Sequence, residues 1–189
     1  MIILFGPTGS GKSVQGQLLA ARHGWRWISA GQLLRDSHDP RVYKYMLKGK
    51  LAPNKFTNQL VFDEIDKVRT SGEERKHILD GFPRDLSQAK ALVEHEIEHT
   101  GKPMIDIVIV INMTNAEVLR RLKIRGRMED NPETIAYRLK TFHEQVEPVV
   151  EYLASLNVPI EHVDGVGTVG EVHDRIEKVL EAHGVVGAF

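Results

Sequence analysis

The chain opens Met1-Ile2-Ile3-Leu4-Phe5-Gly6-Pro7-Thr8-Gly9-Ser10-Gly11-Lys12-Ser13. Residues 2–5 are a short apolar run of the kind a buried strand needs. Residues 6–13 fit G-x-x-x-x-G-K-[ST], and a strand feeding such a loop gives the pattern its physical meaning. Glycine lets the backbone curl around a phosphate with several N–H groups pointing inward. Gly9, Ser10, Gly11, Lys12 and Ser13 are therefore candidate ligands of a nucleotide's phosphates. Lys12 is expected to reach the β- and γ-phosphates, and the Ser13 hydroxyl to sit on Mg²⁺. A helix starting near Lys12 adds the positive end of its dipole.

Outward from this loop, short apolar runs alternate with helical stretches. Strands are expected at 25–28, 77–79, 105–111 and 158–163, besides 2–5. Ile105-Asp106-Ile107-Val108-Ile109-Val110-Ile111 is dense in β-branched residues, as a buried parallel strand should be. Helices are expected near 12–23, 31–37, 40–49, 55–70, 86–99, 115–124, 132–156 and 168–183. Asn115 reads as an N-cap, and Asn131-Pro132-Glu133 as a cap with proline at the first helical position. The alternation predicts an α/β fold with a five-stranded parallel sheet covered on both faces. Ligands then bind beyond the carboxyl ends of the strands. Residues 30–58, almost wholly helical, interrupt the rhythm. So does the charged connection at 123–131, and the end from Gly184 reads as frayed.

The 189 residues fit one domain, with core segments 1–29, 59–122 and 132–189. A net charge of −1 gives no general field for nucleic acid or an anionic membrane. Cysteine is absent, which excludes disulfides, thiolate metal sites and cysteine nucleophiles. No apolar run approaches bilayer length, and Met1 leads straight into the first strand without space for a signal peptide. The expectation is a cytoplasmic monomer with small-molecule partners, no nucleic acid and no membrane. The nine histidines read as scattered surface and packing residues without metal-ligand spacing. Trp25 and Trp27 read as packing residues.

Asp80-Gly81-Phe82-Pro83-Arg84 follows the strand ending at Leu79. A carboxylate at a strand's carboxyl end beside a phosphate loop can hold or orient Mg²⁺ through water, which makes Ser13 and Asp80 the candidate metal residues. Gly81 permits a sharp turn, and Arg84 carries a planar fork suited to phosphate.

These stretches together resemble the adenylate kinase family, among the nucleoside monophosphate kinases of the P-loop fold, in a short-lid form. The resemblance rests on residues 6–13, Ile28-Ser29-Ala30-Gly31-Gln32-Leu33-Leu34-Arg35, Gly49-Lys50-Leu51-Ala52-Pro53, residues 80–84 with Gln88-Ala89, Arg125-Gly126-Arg127-Met128-Glu129-Asp130, and Arg138-Leu139. They occur in the family's order along almost the whole chain. The resemblance implies Mg²⁺-dependent transfer of the γ-phosphoryl of ATP to AMP, giving two ADP. It implies that Lys12, Arg84, Arg127 and Arg138 are catalytic, with Arg127 and Arg138 bracketing the phosphoryl group. Gly9, Ser10, Gly11, Lys12, Ser13, Arg125 and Arg127 would bind ATP, with Arg125 near its base. Ala30, Arg35, Leu51, Gly81, Arg84, Gln88 and Arg138 would bind AMP. Gln88, whose amide both donates and accepts, would read the adenine edge. Residues 30–58 resemble the monophosphate-binding region and 123–131 a very short lid.

The chain departs from the family pattern chiefly on the monophosphate side. Ala30 stands where threonine is usual, Gln32 where aspartate is usual, and Asn54-Lys55 where acidic residues are usual. Glu129-Asp130 replaces a pair of aspartates, and the stretch from Arg35 to Leu51 is short. These changes predict weaker discrimination among monophosphates, and a kinase acting on CMP, UMP or GMP is the alternative. A non-catalytic nucleotide-binding module has no need for arginines aimed at a second phosphate. A GTPase would need Asn-Lys-x-Asp, whereas Asn54-Lys55-Phe56 is followed by Thr57.

Overall fold

The computed structural model describes residues 1–48, 50–71, 76–125 and 131–187. Five parallel strands form one sheet in the order β2-β3-β1-β4-β5. They are β1 (Ile2–Phe5), β2 (Arg26–Ser29), β3 (His77–Asp80), β4 (Ile107–Asn112) and β5 (Ile160–Asp164). Each expected strand is present, with ends shifted by one or two residues. The helices among the described residues are α1 (Lys12–His23), α2 (Ala30–Asp36), α3 (Pro40–Leu47), α4 (Asn54–Thr70), α5 (Leu86–Thr100), α6 (Asn115–Arg125), α7 (Pro132–Ser155) and α8 (Val169–Ala182).

β1 lies centrally because its four side chains are apolar on both faces, and all four are buried. Ile3 and Phe5, with Val108 and Val110, point into a core shared with α4, α5 and α7. Ile2 and Leu4, with Ile107, Ile109 and Ile111, point into the opposite core, against α1 and α8. The period of two in a continuous apolar run thus fills two cores at once. Gly16 lets α1 lie against Trp27, since a Cβ there would stand 2.6 Å from the Trp27 ring. Trp25 stacks on His23 with centroids 4.4 Å apart. Both tryptophans pack, as expected.

The caps hold with one correction. Asn131 accepts from the Thr134 N–H with Pro132 in the first turn. At α6, however, the capping oxygen belongs to Thr114, which accepts from the Glu117 N–H at 3.3 Å, and Asn115 is already helical. Asparagine is the stronger capping residue by type, so position decides: Thr114 precedes the first helical residue, and Asn115 lies inside the helix.

Residues 30–58 contain α2, α3 and the start of α4, around a small apolar cluster of Leu34, Val42 and Ala52 with Phe56 and Leu60 against it. α4 continues unbroken past residue 58 into the main core through Val61 and Ile65. No helix among the described residues is long and apolar enough to cross a membrane.

Candidate active site

β1, β2 and β3 end at Phe5, Ser29 and Asp80, and these ends share one rim, with Ser29 in register with Asp80. The loop after β1 turns into α1 through Gly11, whose φ of 95° is strained for any residue with a Cβ. The Ser10 N–H donates to the Pro7 carbonyl at 3.1 Å and closes the loop. Lys12 Nζ donates to the Gly6 and Pro7 carbonyls at 2.6 and 2.8 Å and reaches Ser10 Oγ at 3.4 Å, so the ammonium lies against the loop. Ser13 Oγ donates to Asp80 Oδ2 at 2.6 Å. That bond joins the start of α1 to the end of β3 and sets two oxygen ligands side by side.

Past Asp80 the chain turns at Gly81 and passes a cis Phe82-Pro83 bond. Arg84 Nε donates back to the Gly81 carbonyl at 2.8 Å. Gly81 turns with a φ of 70°, a conformation that favours glycine, and a Cβ there would also crowd the Arg84 guanidinium at 2.9 Å. Arg84 lines the cleft. Withdrawal from bulk water lowers its pKa; Asp80 opposes this, and the charges of Arg138 and Arg35 add to the lowering. Three guanidinium groups from α2, α7 and the β3–α5 loop therefore converge. Arginine stays charged under such repulsion, so the cluster is a ready anion site.

Arg35 does not stand alone. Its Nη2 donates to Gln32 Oε1 at 2.9 Å, and Gln32 Nε2 donates to Asp36 at 2.7 Å. Gln32 thus orients the guanidinium without neutralising it.

Gln88 is 1% exposed, and its amide is committed on both sides. Its Oε1 accepts from the Arg84 N–H at 2.7 Å, and its Nε2 donates to Asn54 Oδ1 at 2.9 Å. Asn54 in turn donates through Nδ2 to Asp85 Oδ2 at 2.9 Å, while Asp85 Oδ1 caps α5 through the Gln88 N–H. Neither Asn54 nor Asp85 is marked as a site residue by the sequence. Asn54 stands out there only as a departure from an acidic pair.

The cleft enclosed by these parts has a volume of about 630 Å³. The loop residues Gly9 to Ser13, Asp80, Gly81, Arg84, Gln88, Ala30, Arg35, Leu51 and Arg138 all line it. Arg127 lies outside the described residues, as does the Arg125 side chain at the end of α6. Two further cations, Arg120 and Arg121, line the same cleft. Hydrogen bonds from Arg120 and then Arg121 hold the Glu117 carboxyl down at about 2. Arg121 also donates to the Gly165 and Gly167 carbonyls of the β5–α8 connection, and its guanidinium comes within 4.0 Å of where a Cβ on Gly11 of the phosphate loop would stand. In sequence both look like ordinary charges of a polar helix.

Comparison with known proteins decides which family this cleft belongs to. The profile described as Adenylate kinase matches residues 4–158. Curated relatives named Adenylate kinase include that of Mycobacterium ulcerans, 36% identical over 185 residues, covering 95% of this chain and 98% of the relative. The protein of that name from Mycobacterium leprae is 37% identical over 180 residues, covering 92% and 95%. The one from Thermus thermophilus is 35% identical over 189 residues, covering 95% and 96%. The chain belongs to the adenylate kinase family. It is an enzyme of the phosphotransferase kind that the family name denotes.

Within the adenylate kinase fold, the departures noted in the sequence acquire places. Ala30 is buried at the start of α2, directly after the end of β2. Gln32 spaces Arg35 from Asp36, and Asn54 bridges Gln88 to Asp85. Ala30, Gln32 and Asn54 thus all belong to the side of the site that carries Arg35 and Gln88, while the change at Glu129 lies outside the described residues.

Proposed function

We propose that the cleft transfers the γ-phosphoryl group of ATP to AMP in the reversible reaction that gives two ADP. The observation that carries this reading is the convergence of Arg35, Arg84 and Arg138 in the same cavity as the phosphate loop. A nucleotide hydrolase or a simple binder needs one phosphate site, whereas this cavity has cations for two.

The phosphate loop and Lys12 take the ATP phosphates, with inward N–H groups and the α1 dipole favouring the charge. Lys12 leaves the Gly6 and Pro7 carbonyls to follow the γ-phosphoryl. Arg121 flanks the same nucleotide from α6, together with Arg125 and Arg127. Arg35 and Arg84 hold the AMP phosphate, and Arg138, with Arg127, neutralises the group in flight. Positioning and charge neutralisation are most of what phosphoryl transfer requires. Ser13 and Asp80 fit Mg²⁺, since they offer adjacent hard oxygen ligands and leave further positions to phosphate and water. Bound there, Mg²⁺ supplies charge neutralisation and alignment of the phosphates.

Gln88 keeps one N–H and one carbonyl lone pair beyond its two internal bonds, enough for a bidentate contact to adenine. The Asn54 contact fixes which way its amide faces. Ala30 offers no hydroxyl to the base, so discrimination among monophosphates is weakened; initial rates with AMP, CMP, UMP and GMP measure this. Residues 30–58 and 123–131 close over the substrates and exclude water, which would otherwise divert the phosphoryl group. The chain works as a cytoplasmic monomer. ADP production from ATP plus AMP in a coupled assay tests the function. Hydrolysis of ATP unaffected by AMP would refute it.

A further inference from the structure

Away from the cleft, α4 and α5 pack side by side, and three chemistry-bearing side chains meet on that seam. Asp66 comes from α4, and His95 and His99, one turn apart, come from α5. One ligand atom from each lies within 4.8 Å of the others. His95 Nε2 is 3.3 Å from Asp66 Oδ2. Two ligands about 2.0–2.1 Å from a tetrahedral zinc stand roughly 3.3 Å apart.

The surroundings are built as an outer shell would be. Arg69 donates to Asp66 Oδ1 at 2.7 Å and to Glu96 at 2.8 Å, so both carboxylates are fixed and Asp66 Oδ2 is turned to His95. His99 Nδ1 lies 2.7 Å from the His95 carbonyl, a contact that requires the proton on Nδ1 and leaves the lone pair on Nε2. Phe62 stacks on the His95 ring with centroids 4.3 Å apart.

A second observation points the same way. The His95 side chain is 10% exposed, and its Nδ1 has no hydrogen-bond partner. That atom faces Glu96 Oε1 at 3.8 Å. With the proton on Nε2, toward Asp66, Nδ1 turns a lone pair toward a carboxylate. A metal on Nε2 reverses this: the proton sits on Nδ1 and faces Glu96, the carboxylate–histidine–metal arrangement that raises ligand basicity.

We propose that Asp66, His95 and His99 bind a divalent transition cation of the zinc class and brace α4 against α5. Two imidazoles and one carboxylate suit zinc, whereas magnesium demands oxygen ligands. The remaining coordination is completed by water. The cation would tie the helix that leaves residues 30–58 to the helix that carries Gln88.

The full chain, stripped of metal and nucleotide, is titrated with Zn²⁺ by calorimetry and with Co²⁺ by visible absorption. One cation per chain binds in the micromolar range, and Co²⁺ gives the intense bands of a low-symmetry, four-coordinate site. Exposed His99 tolerates substitution, so His99→Asn keeps the fold and kcat but weakens zinc binding by about 10–100-fold. Zinc at hundredfold excess over Kd raises the wild-type Tm by about 5–10 °C, and the shift is lost in His99→Asn. Unchanged affinity in His99→Asn overturns the proposal. So does a stoichiometric site that disappears in Ser13→Ala, or no binding up to millimolar zinc.

Discussion

The two halves of the cleft are held by different means. The half proposed for ATP is built from backbone: a glycine-rich turn between β1 and α1, closed by main-chain bonds and fastened by one Ser13–Asp80 contact. The half proposed for AMP is built from side chains: Gln32 between Arg35 and Asp36, and Asn54 between Gln88 and Asp85. A backbone site is insensitive to which side chains surround it. A side-chain relay can be retuned by one substitution, and the departures from the family pattern at Ala30, Gln32 and Asn54 all lie in that half.

The largest effect that can test this contrast is at Lys12. Lys12→Ala removes the cation carried by the phosphate loop and lowers kcat by about 10²–10³-fold with the fold intact. Steady-state rates and circular dichroism check this, and unchanged turnover would break the assignment. Next is Gln88→Ala, which raises the KM for AMP by about 10–100-fold, the equivalent of roughly 1–3 kcal/mol, and leaves the KM for ATP unchanged. Equal losses for both substrates would show that the halves are not separable.

The relay itself is tested by Asn54→Asp. That change sets two carboxylates against each other across a distance now 2.9 Å and loses the donor that fixes the side chain at position 54. The KM for AMP rises about 3–10-fold. Adding Asp85→Asn restores it, because asparagine caps α5 as well as aspartate does, and its amide donates to the carboxylate introduced at position 54. Failure of the second substitution to rescue the first would mean that Asn54 acts otherwise.

On turnover the smallest effect, none, is expected at the opposite rim of the sheet, where His77 begins β3 and acts on stability instead. Burial lowers its pKa to about 3; the chain's amino terminus and Arg69 add to this, and Asp106 opposes it. The unfolded chain binds a proton there below about pH 6.5 and the folded protein does not. Stability is therefore full above that pH and falls as the pH drops. The loss is about 1–2 kcal/mol between pH 7 and pH 5. Denaturant melts at both values measure it, and His77→Phe flattens the slope. Because this rim is remote from the cleft, the KM values of His77→Phe stay at wild type.

The same contrast explains what the sequence could reveal. Residues 2–13 carry both the strand and the turn in local order, so sheet, loop and the Lys12 and Ser13 positions were legible. Asp80 and Arg84 were legible because they follow a short apolar strand in a compact stretch. Asn54 and Asp85 were not, since Asn54 meets Gln88 and Asp85 only across 34 and 31 residues of chain. No spacing within one element encodes such a pairing. Arg120 and Arg121 were hidden by the polar helix that bears them. Contrary to the reading of the histidines as scattered, His95 and His99 stand four residues apart on α5, a spacing two ligands of one metal can share, but only the packing of α4 on α5 brings Asp66 to them.

A cleft with cations for two sets of phosphates should hold two nucleotides at once. Titration with two adenosines joined through five phosphates tests it most directly. One molecule is expected per chain, bound far more tightly than ATP or AMP alone and displaced by either. Gln88→Ala is expected to reduce the affinity about 10–100-fold. Binding no tighter than that of ATP, displaced by ATP alone and indifferent to Gln88, would contradict it.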